Sequence, residues 1–126
     1  MSEKRRFLRL ESIVAYLQTE GDGDEIFIKF KDEKIVPPDA RFLKMSKEPV
    51  LLNVEVELAP DEKWVELELW DYDLLTPNDN LGTFKLLVEG AAENFTAELR
   101  RDKDAEARYV LNWSVVERRD RKDVRV

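Results

Sequence analysis

Strict alternation of apolar and polar residues is the feature that most limits how this chain folds. In LLNVEVEL (51–58) and WVELELWD (64–71), apolar residues recur at every second position, with asparagine, glutamate or tryptophan between them. EIFIKF (25–30) has the same period. Because successive side chains of a β-strand point to opposite faces, this pattern predicts strands with one buried face and one face in water.

Five weaker runs of the same kind extend the pattern to most of the chain. They are FLRLESIVAYL, RFLKMS, LGTFKLLV, NFTAEL and RYVLNWSVVE. Glycine, proline, aspartate and asparagine separate the runs, as they do between the strands of antiparallel sandwiches. We therefore predict an all-β fold, an eight-stranded antiparallel Greek-key β-sandwich, formed by a chain whose 126 residues suit one domain.

The composition removes most catalytic chemistry. The chain contains no histidine and no cysteine, which excludes the commonest general base, thiol nucleophiles, disulfides and thiolate metal sites. A two-carboxylate glycosidase would need a larger cleft than the short loops of a small sandwich provide. The net charge of −7 argues against a duplex nucleic-acid binder. We expect neither an enzyme nor a nucleic-acid binder, and no small-molecule substrate.

The basic residues are concentrated at the two ends of the sequence. MSEKRR lacks the apolar core of a signal peptide, and ERRDRKDVRV mixes both signs without apolar spacing. No apolar run approaches the ~20 residues of a membrane span. We expect a basic N-terminal arm at 1–6, a sandwich domain at 7–117 and a charged C-terminal tail at 118–126. The expected location is cytoplasmic, either in solution or peripherally bound to a membrane.

Acidic residues gather in loops that the predicted topology brings together. If each strand crosses the sandwich once, the connections 19–24, 46–49, 72–80 and 100–107 lie at the same end. Like charges held close oppose folding unless a cation lies between them, and oxygen ligands without nitrogen or sulfur favour calcium. An EF-hand is excluded, because position twelve counted from Asp71 is Gly82, where an EF-hand loop has glutamate. The carboxylates that we expect at this end are Asp22, Asp24, Glu25, Asp71, Asp73 and Asp79.

The segment ELWDYDLLTPNDNLGTF (68–84) resembles the sixth strand, third calcium loop and seventh strand of a C2 domain, whose pattern is V-x-D-x-D-x5-D-x-[IL]-G. The resemblance implies that Asp71, Asp73 and Asp79 coordinate calcium and that Gly82 opens the next strand. It extends loosely over residues 7–117, and the extra final strand is similar to the type II topology of the family.

The first predicted loop matches the family less closely. GDEIFIKF (23–30) is similar to the family motif D-P-Y-V-K-V that follows loop one. This alignment places Glu25 at the second loop-one ligand, or Asp24 if the register shifts by one. The first loop-one ligand would then be Asp22 or Glu20, or it would be missing.

The resemblance implies two functions between which the sequence does not decide. In one, the loops bind calcium, and the ion bridges the aspartates and the phosphates of an anionic phospholipid membrane. In the other, the domain contacts a protein partner or has a structural role in a larger assembly, with or without calcium. Without calcium, the aspartates only cap turns and bond backbone N–H groups. Leu74 and Leu75, at the tip of the aspartate loop, are the candidate membrane or partner contacts. The alternative is that one folds back on the sandwich and the other packs on Pro77.

Overall fold

The computed structural model describes residues 4–17, 24–90, 95–99 and 108–119. These residues form nine β-strands and their connections, and none of them is helical. None of these residues therefore belongs to a helix able to cross a membrane. The strands are β1 (Lys4–Leu17), β2 (Glu25–Phe30), β3 (Glu33–Val36), β4 (Leu43–Lys44), β5 (Val50–Leu58), β6 (Trp64–Asp71), β7 (Asp79–Leu87), β8 (Phe95–Glu98) and β9 (Arg108–Arg119).

The strands form two antiparallel sheets packed face to face. One sheet has the order β5-β1-β9-β8, and the other has the order β3-β2-β6-β7, with β4 also paired to β2. Strands that are neighbours in a sheet are often far apart in sequence, so the chain crosses repeatedly between the sheets, as in Greek-key sandwiches. The predicted all-β antiparallel sandwich is confirmed.

The alternating runs bury the faces that the sequence predicts. In β6, Val65, Leu67 and Leu69 are buried, while the glutamates between them face outward. The same alternation places every second residue of β2 and β5 in or against the core, namely Ile26, Ile28, Phe30, Val50, Leu52, Val54, Val56 and Leu58. Each fully buried aliphatic side chain contributes about 1.5–3 kcal/mol relative to exposure. The interior between the two sheets is therefore the hydrophobic core.

The structure has one strand more than the predicted eight, because β3 was not recognised. Lys31 and Asp32 have positive φ angles of 51° and 68° and form a two-residue turn between β2 and β3. Phe30 and Glu33 pair across this turn. Positive φ at both central positions is the signature of a type I′ hairpin, which Asn-Gly or Asp-Gly usually signals. Pro37 follows β3 and cannot donate a backbone hydrogen bond.

β1 and β9 extend into the segments predicted as a basic N-terminal arm and a charged C-terminal tail. β1 begins at Lys4 and β9 continues to Arg119, and these two residues are cross-strand partners. Residues 4–6 of the predicted arm and residues 118–119 of the predicted tail therefore belong to the sheet. Ion pairs across the outer face explain the extension, since opposite charges on facing strands stabilise their pairing.

Glu55 is the centre of these ion pairs. Its carboxylate accepts hydrogen bonds from Arg9 at 2.7 Å and from Arg118 at 2.6 Å. These two guanidinium groups lower the pKa of Glu55 to about 2. On the same face Arg5 pairs with Glu57 at 2.7 Å. The result is a ladder of alternating charges over β1, β5 and β9.

Candidate functional site

The start of β2 meets the end of β6 at one end of the sandwich. Ile26 and Asp71 are cross-strand partners, and the Tyr72 N–H donates to the Glu25 carbonyl at 2.6 Å. The loop 72–78, which follows β6, therefore lies beside the residues that precede β2. We refer to the loop 72–78, together with Asp24, Glu25 and Asp71, as the loop end.

A third connection joins the loop end through backbone contact. The Met45 N–H, just after β4, donates to the Asp24 carbonyl at 2.8 Å. Asp24, the end of the predicted connection 19–24, therefore lies beside the start of the 72–78 loop and beside Met45, just before the connection 46–49. The rest of 19–24 and the connection 100–107 lie outside the described residues. Asp22, predicted as a loop-one ligand, lies outside the described residues.

Asp24 lies inside the protein. Its carboxylate is fully buried, and Oδ2 accepts a hydrogen bond from the hydroxyl of Tyr109, which is itself buried at the start of β9. Buried polar groups are stabilised by such partners. Asp24 therefore joins the two sheets, a role that the sequence did not reveal.

Glu25 opens β2 and lies half-buried at the edge of the loop end. Its cross-strand partner is Lys44 in β4. This neighbour has the opposite charge, an arrangement that favours the pairing of β2 with β4.

Asp71 and Asp79 face each other across β6 and β7. They are direct cross-strand partners, with Asp71 buried and Asp79 exposed. The Cβ atoms of such partners lie roughly 4.5–5.5 Å apart, and like charges directly opposite each other are destabilising. This pair is the part of the predicted metal site that the fold brings together most directly.

Asp73 fixes the shape of the loop. Its Oδ1 accepts the backbone N–H groups of Leu75 at 3.0 Å and Thr76 at 3.2 Å. Hydrogen bonds from the Thr76 side chain and from these two N–H groups lower the pKa of Asp73. The Asp73 N–H in turn donates to the Asn78 side chain at 2.8 Å. The carboxylate thus acts as a turn cap, the alternative role considered for these aspartates.

The described carboxylates do not form a calcium site on their own. Within 4–17, 24–90, 95–99 and 108–119, no group of three acidic side chains is placed to hold a metal ion. The donors are of the right chemical type, since calcium prefers carboxylate oxygens. However, Asp24 is buried against Tyr109 and Asp73 is bonded to its own loop. The described residues therefore fit calcium poorly.

Leu74 and Leu75 form the exposed tip of the loop. Leu74 is 76% exposed and Leu75 is 90% exposed. Neither leucine folds back on the sandwich, so that alternative is wrong. Two adjacent leucines this exposed form an apolar projection at the loop end.

Aromatic residues that the sequence did not single out support the base of this loop. Tyr72 stacks on Phe42 with ring centroids 5.1 Å apart, and Arg41 donates to the Tyr72 hydroxyl at 3.4 Å. In the sequence, the only indication of this contact is that Tyr72 lies between Asp71 and Asp73. Phe42 lies thirty positions earlier, and nothing in its local sequence indicates this contact.

The sequence matches no protein-family model and no curated protein. The structure is similar to that of a C2 domain, domain A, of plant extended synaptotagmin 1, with a TM-score of 0.64. The match covers 94% of this chain and 96% of that domain, at 16% sequence identity. At this identity the likeness establishes the fold. The chain is a C2-like β-sandwich, and the resemblance that the aspartate loop suggested is confirmed at the level of the fold.

Proposed function

We propose that this C2-like domain is a protein-docking module that inserts the tip of its 72–78 loop into an apolar pocket of a partner. The observation that carries the proposal is the exposure of Leu74 and Leu75, at 76% and 90%. Exposed apolar groups that adjoin one another commonly mark interaction sites.

The hydrogen bonds of the loop support this proposal. Asp73 and Asn78 hold the turn from both sides of the tip. A segment already held in its bound shape loses less conformational entropy on binding. Burial of both leucines would contribute roughly 3–5 kcal/mol, at about 1.5–3 kcal/mol for each side chain. This is too little for stable binding alone, so polar contacts around the tip must add to it.

The charge around the tip indicates what kind of surface accepts it. Asp71, Asp73 and Asp79 lie beside the leucines, and the chain as a whole carries a net charge of −7. Complementary charge favours a partner pocket with a basic rim. The same charge opposes approach to a bare anionic membrane. A protein pocket is therefore the better fit.

Photo-crosslinking tests the proposal directly. A benzophenone amino acid replaces Leu75 in one variant and the exposed Asp39 in a matched control, and both are expressed in cells that produce the protein naturally. We expect the variant at position 75 to form a discrete adduct with another protein, and the control at position 39 to form none. The double change Leu74→Ser with Leu75→Ser should abolish the interaction with the identified partner.

Calcium-bridged docking on anionic phospholipid is the second candidate function. The cross-strand pair Asp71 and Asp79 favours it, because a cation would relieve the repulsion between the two carboxylates. Sedimentation with vesicles containing phosphatidylserine, with and without calcium, separates the two functions. Calcium-dependent sedimentation that Asp71→Asn with Asp79→Asn abolishes would establish the membrane function. Under the first proposal, the protein remains in the supernatant in both conditions.

A further inference from the structure

A second surface lies along the side of the sandwich, away from the loop end. β7 and β8 are the last strands of their sheets in the described structure, and they lie side by side. A groove of about 510 Å³ follows this seam. It passes Trp64, which begins β6, whereas Asp71 ends that strand. Seven residues of strand place Trp64 roughly 23 Å from Asp71, at about 3.3 Å per residue.

Exposed apolar side chains line this groove. Trp64 is 52% exposed, Leu87 is 48% exposed and Phe95 is 41% exposed. A large aromatic side chain buries about 150–250 Å² when fully covered, so at their exposed fractions the two aromatic residues and Leu87 together offer roughly 300 Å² of apolar surface. A stable dimer needs about 800 Å² from each partner. The exposed area therefore fits a short segment better than a second copy of this domain.

The floor of the groove holds a polar group whose hydrogen-bonding capacity is unused. Trp113 is only 4% exposed, and its Nε1 is buried with no hydrogen-bond acceptor among the described residues. The ring of Phe95 stacks over it, with centroids 5.0 Å apart. By contrast, the Trp70 indole donates to Glu68 at 3.3 Å. A buried N–H without an acceptor is destabilising, and a ligand that shifts Phe95 could supply the missing carbonyl.

The edge of β8 offers further hydrogen bonds. β8 pairs with β9 on one side, and no described strand pairs with it on the other side. An edge strand carries unpaired N–H and C=O groups that can template another strand. Lys85 and Glu98 contribute opposite charges to the lining of the groove. The groove therefore favours an extended segment whose contact residues are uncharged.

We propose that this groove binds an extended, uncharged peptide segment of a partner protein, which adds a strand to the edge of β8 and places an apolar side chain against Trp64, Leu87 and Phe95. Addition of a strand to an exposed sheet edge is a general mode of peptide recognition, in which the main chain gives affinity and alternate side chains give specificity. The surface is separate from the leucine tip and does not depend on the function proposed for it.

The test uses the full chain and a phage-displayed library of random heptapeptides as the probe. Clones selected on the native protein are compared on Leu87→Lys and on the matched control Leu51→Lys, which introduces the same lysine at an exposed leucine of β5, outside both proposed surfaces. We expect selected peptides to carry apolar residues at alternate positions. They should bind the native protein and Leu51→Lys equally, and bind Leu87→Lys at least about tenfold more weakly. No enrichment, or equal binding to all three proteins, would overturn the proposal.

A spectroscopic measurement keeps the test decisive if Leu87→Lys folds poorly. A selected peptide is synthesised and titrated into the ¹⁵N-labelled native protein. We expect the indole N–H signal of Trp113 to shift and that of Trp70, already bonded to Glu68, to remain in place. A shift of Trp70 without Trp113 contradicts the location. Sedimentation velocity that shows a dimer lost in Phe95→Lys would instead assign the groove to a second copy.

Discussion

Asp24 and Tyr109, 85 positions apart in sequence, are joined by a buried hydrogen bond between the two sheets. Asp24 immediately precedes β2 in one sheet, and Tyr109 lies at the start of β9 in the other. Both side chains are buried. The bond therefore connects the two sheets at the loop end. Asp24, predicted as a metal ligand, is buried in the protein interior.

Removal of the Tyr109 hydroxyl should destabilise the protein without removing its aromatic packing. Tyr109→Phe leaves a buried carboxylate oxygen of Asp24 without this donor, which costs about 1–3 kcal/mol. Urea denaturation measures the loss in free energy of unfolding. The exposed Asp39→Asn serves as a control and should change stability by less than about 0.5 kcal/mol. Equal stability of Tyr109→Phe and the native protein would show that the bond contributes nothing.

The ladder centred on Glu55 should make stability depend on pH. The folded-state pKa is about 2, below the ordinary value of 4.5. The carboxylate therefore stabilises the fold above pH 4.5, and this contribution is lost as the pH falls through 2. Its arginine partners are partly exposed, so we expect Glu55→Gln to cost only about 1 kcal/mol at pH 7.

Urea unfolding at pH 7 and near pH 3 tests the ladder. The difference between native protein and Glu55→Gln should shrink at the lower pH and in 1 M salt, which screens exposed charges. Glu57→Gln is the matched control, because among the described residues Glu57 pairs with one arginine, Arg5, whereas Glu55 pairs with two, and it should contribute less. A pH-independent difference would mean that packing, and not charge, explains the effect.

The sandwich could be predicted because the alternation of apolar and polar residues along each strand indicates which of its faces is buried. In β6, the alternate residues Val65, Leu67 and Leu69 lie on the inner face, as period two requires, whereas Leu51 in β5 and Trp64 in β6 remain exposed. β3 was not predicted because the turn formed by Lys31 and Asp32 lacks the Asn-Gly or Asp-Gly pair that usually indicates positive φ at both positions. The sequence alone did not predict that Arg5 and Arg118 pair across strands with Glu57 and Glu55, because these partners are distant in sequence.

The candidate site was predictable in position but not in detail. Topology predicted that the aspartate loop and the start of β2 meet, and they do. The burial of Asp24 could not be predicted, because its partner Tyr109 is distant in sequence and either residue alone is compatible with a surface position. The role of Asp73 as a turn cap follows from loop geometry, which residue spacing alone does not specify.

Gly82 should resist substitution. Its φ of 145° is unfavourable for residues with a Cβ atom, and its N–H donates to the Asn80 side chain at 2.8 Å. It lies beside an irregularity in the pairing of β6 with β7, where Leu69 faces Gly82 but Trp70 faces Asn80. We expect Gly82→Ala to destabilise by roughly 1–3 kcal/mol in urea unfolding. Thr83→Ala is the neighbouring control, and equal effects of the two changes would contradict a backbone cause.

The tip of the loop should loosen when Asp73 is neutralised. The folded-state pKa of Asp73 lies below its ordinary value because the carboxylate accepts hydrogen bonds from the Thr76 side chain and from the N–H groups of Leu75 and Thr76. The carboxylate of Asp73 therefore stabilises the turn fully above its ordinary pKa. This stabilisation is lost as the pH falls through the lowered folded-state pKa. In NMR titrations the amide protons of Leu75 and Thr76 should move together, with a midpoint below 3.8.

Two substitutions separate the charge of Asp73 from its shape. Asp73→Asn retains an oxygen that can accept the same N–H groups, so the turn should persist and the pH dependence should vanish. Asp73→Ala removes the acceptor, and we expect faster amide exchange at Leu75 and Thr76 and weaker docking of the partner found by crosslinking at position 75. Global stability should stay within about 0.5 kcal/mol, since the tip is exposed. Unchanged exchange in Asp73→Ala would show that the leucines are held outward by the backbone alone.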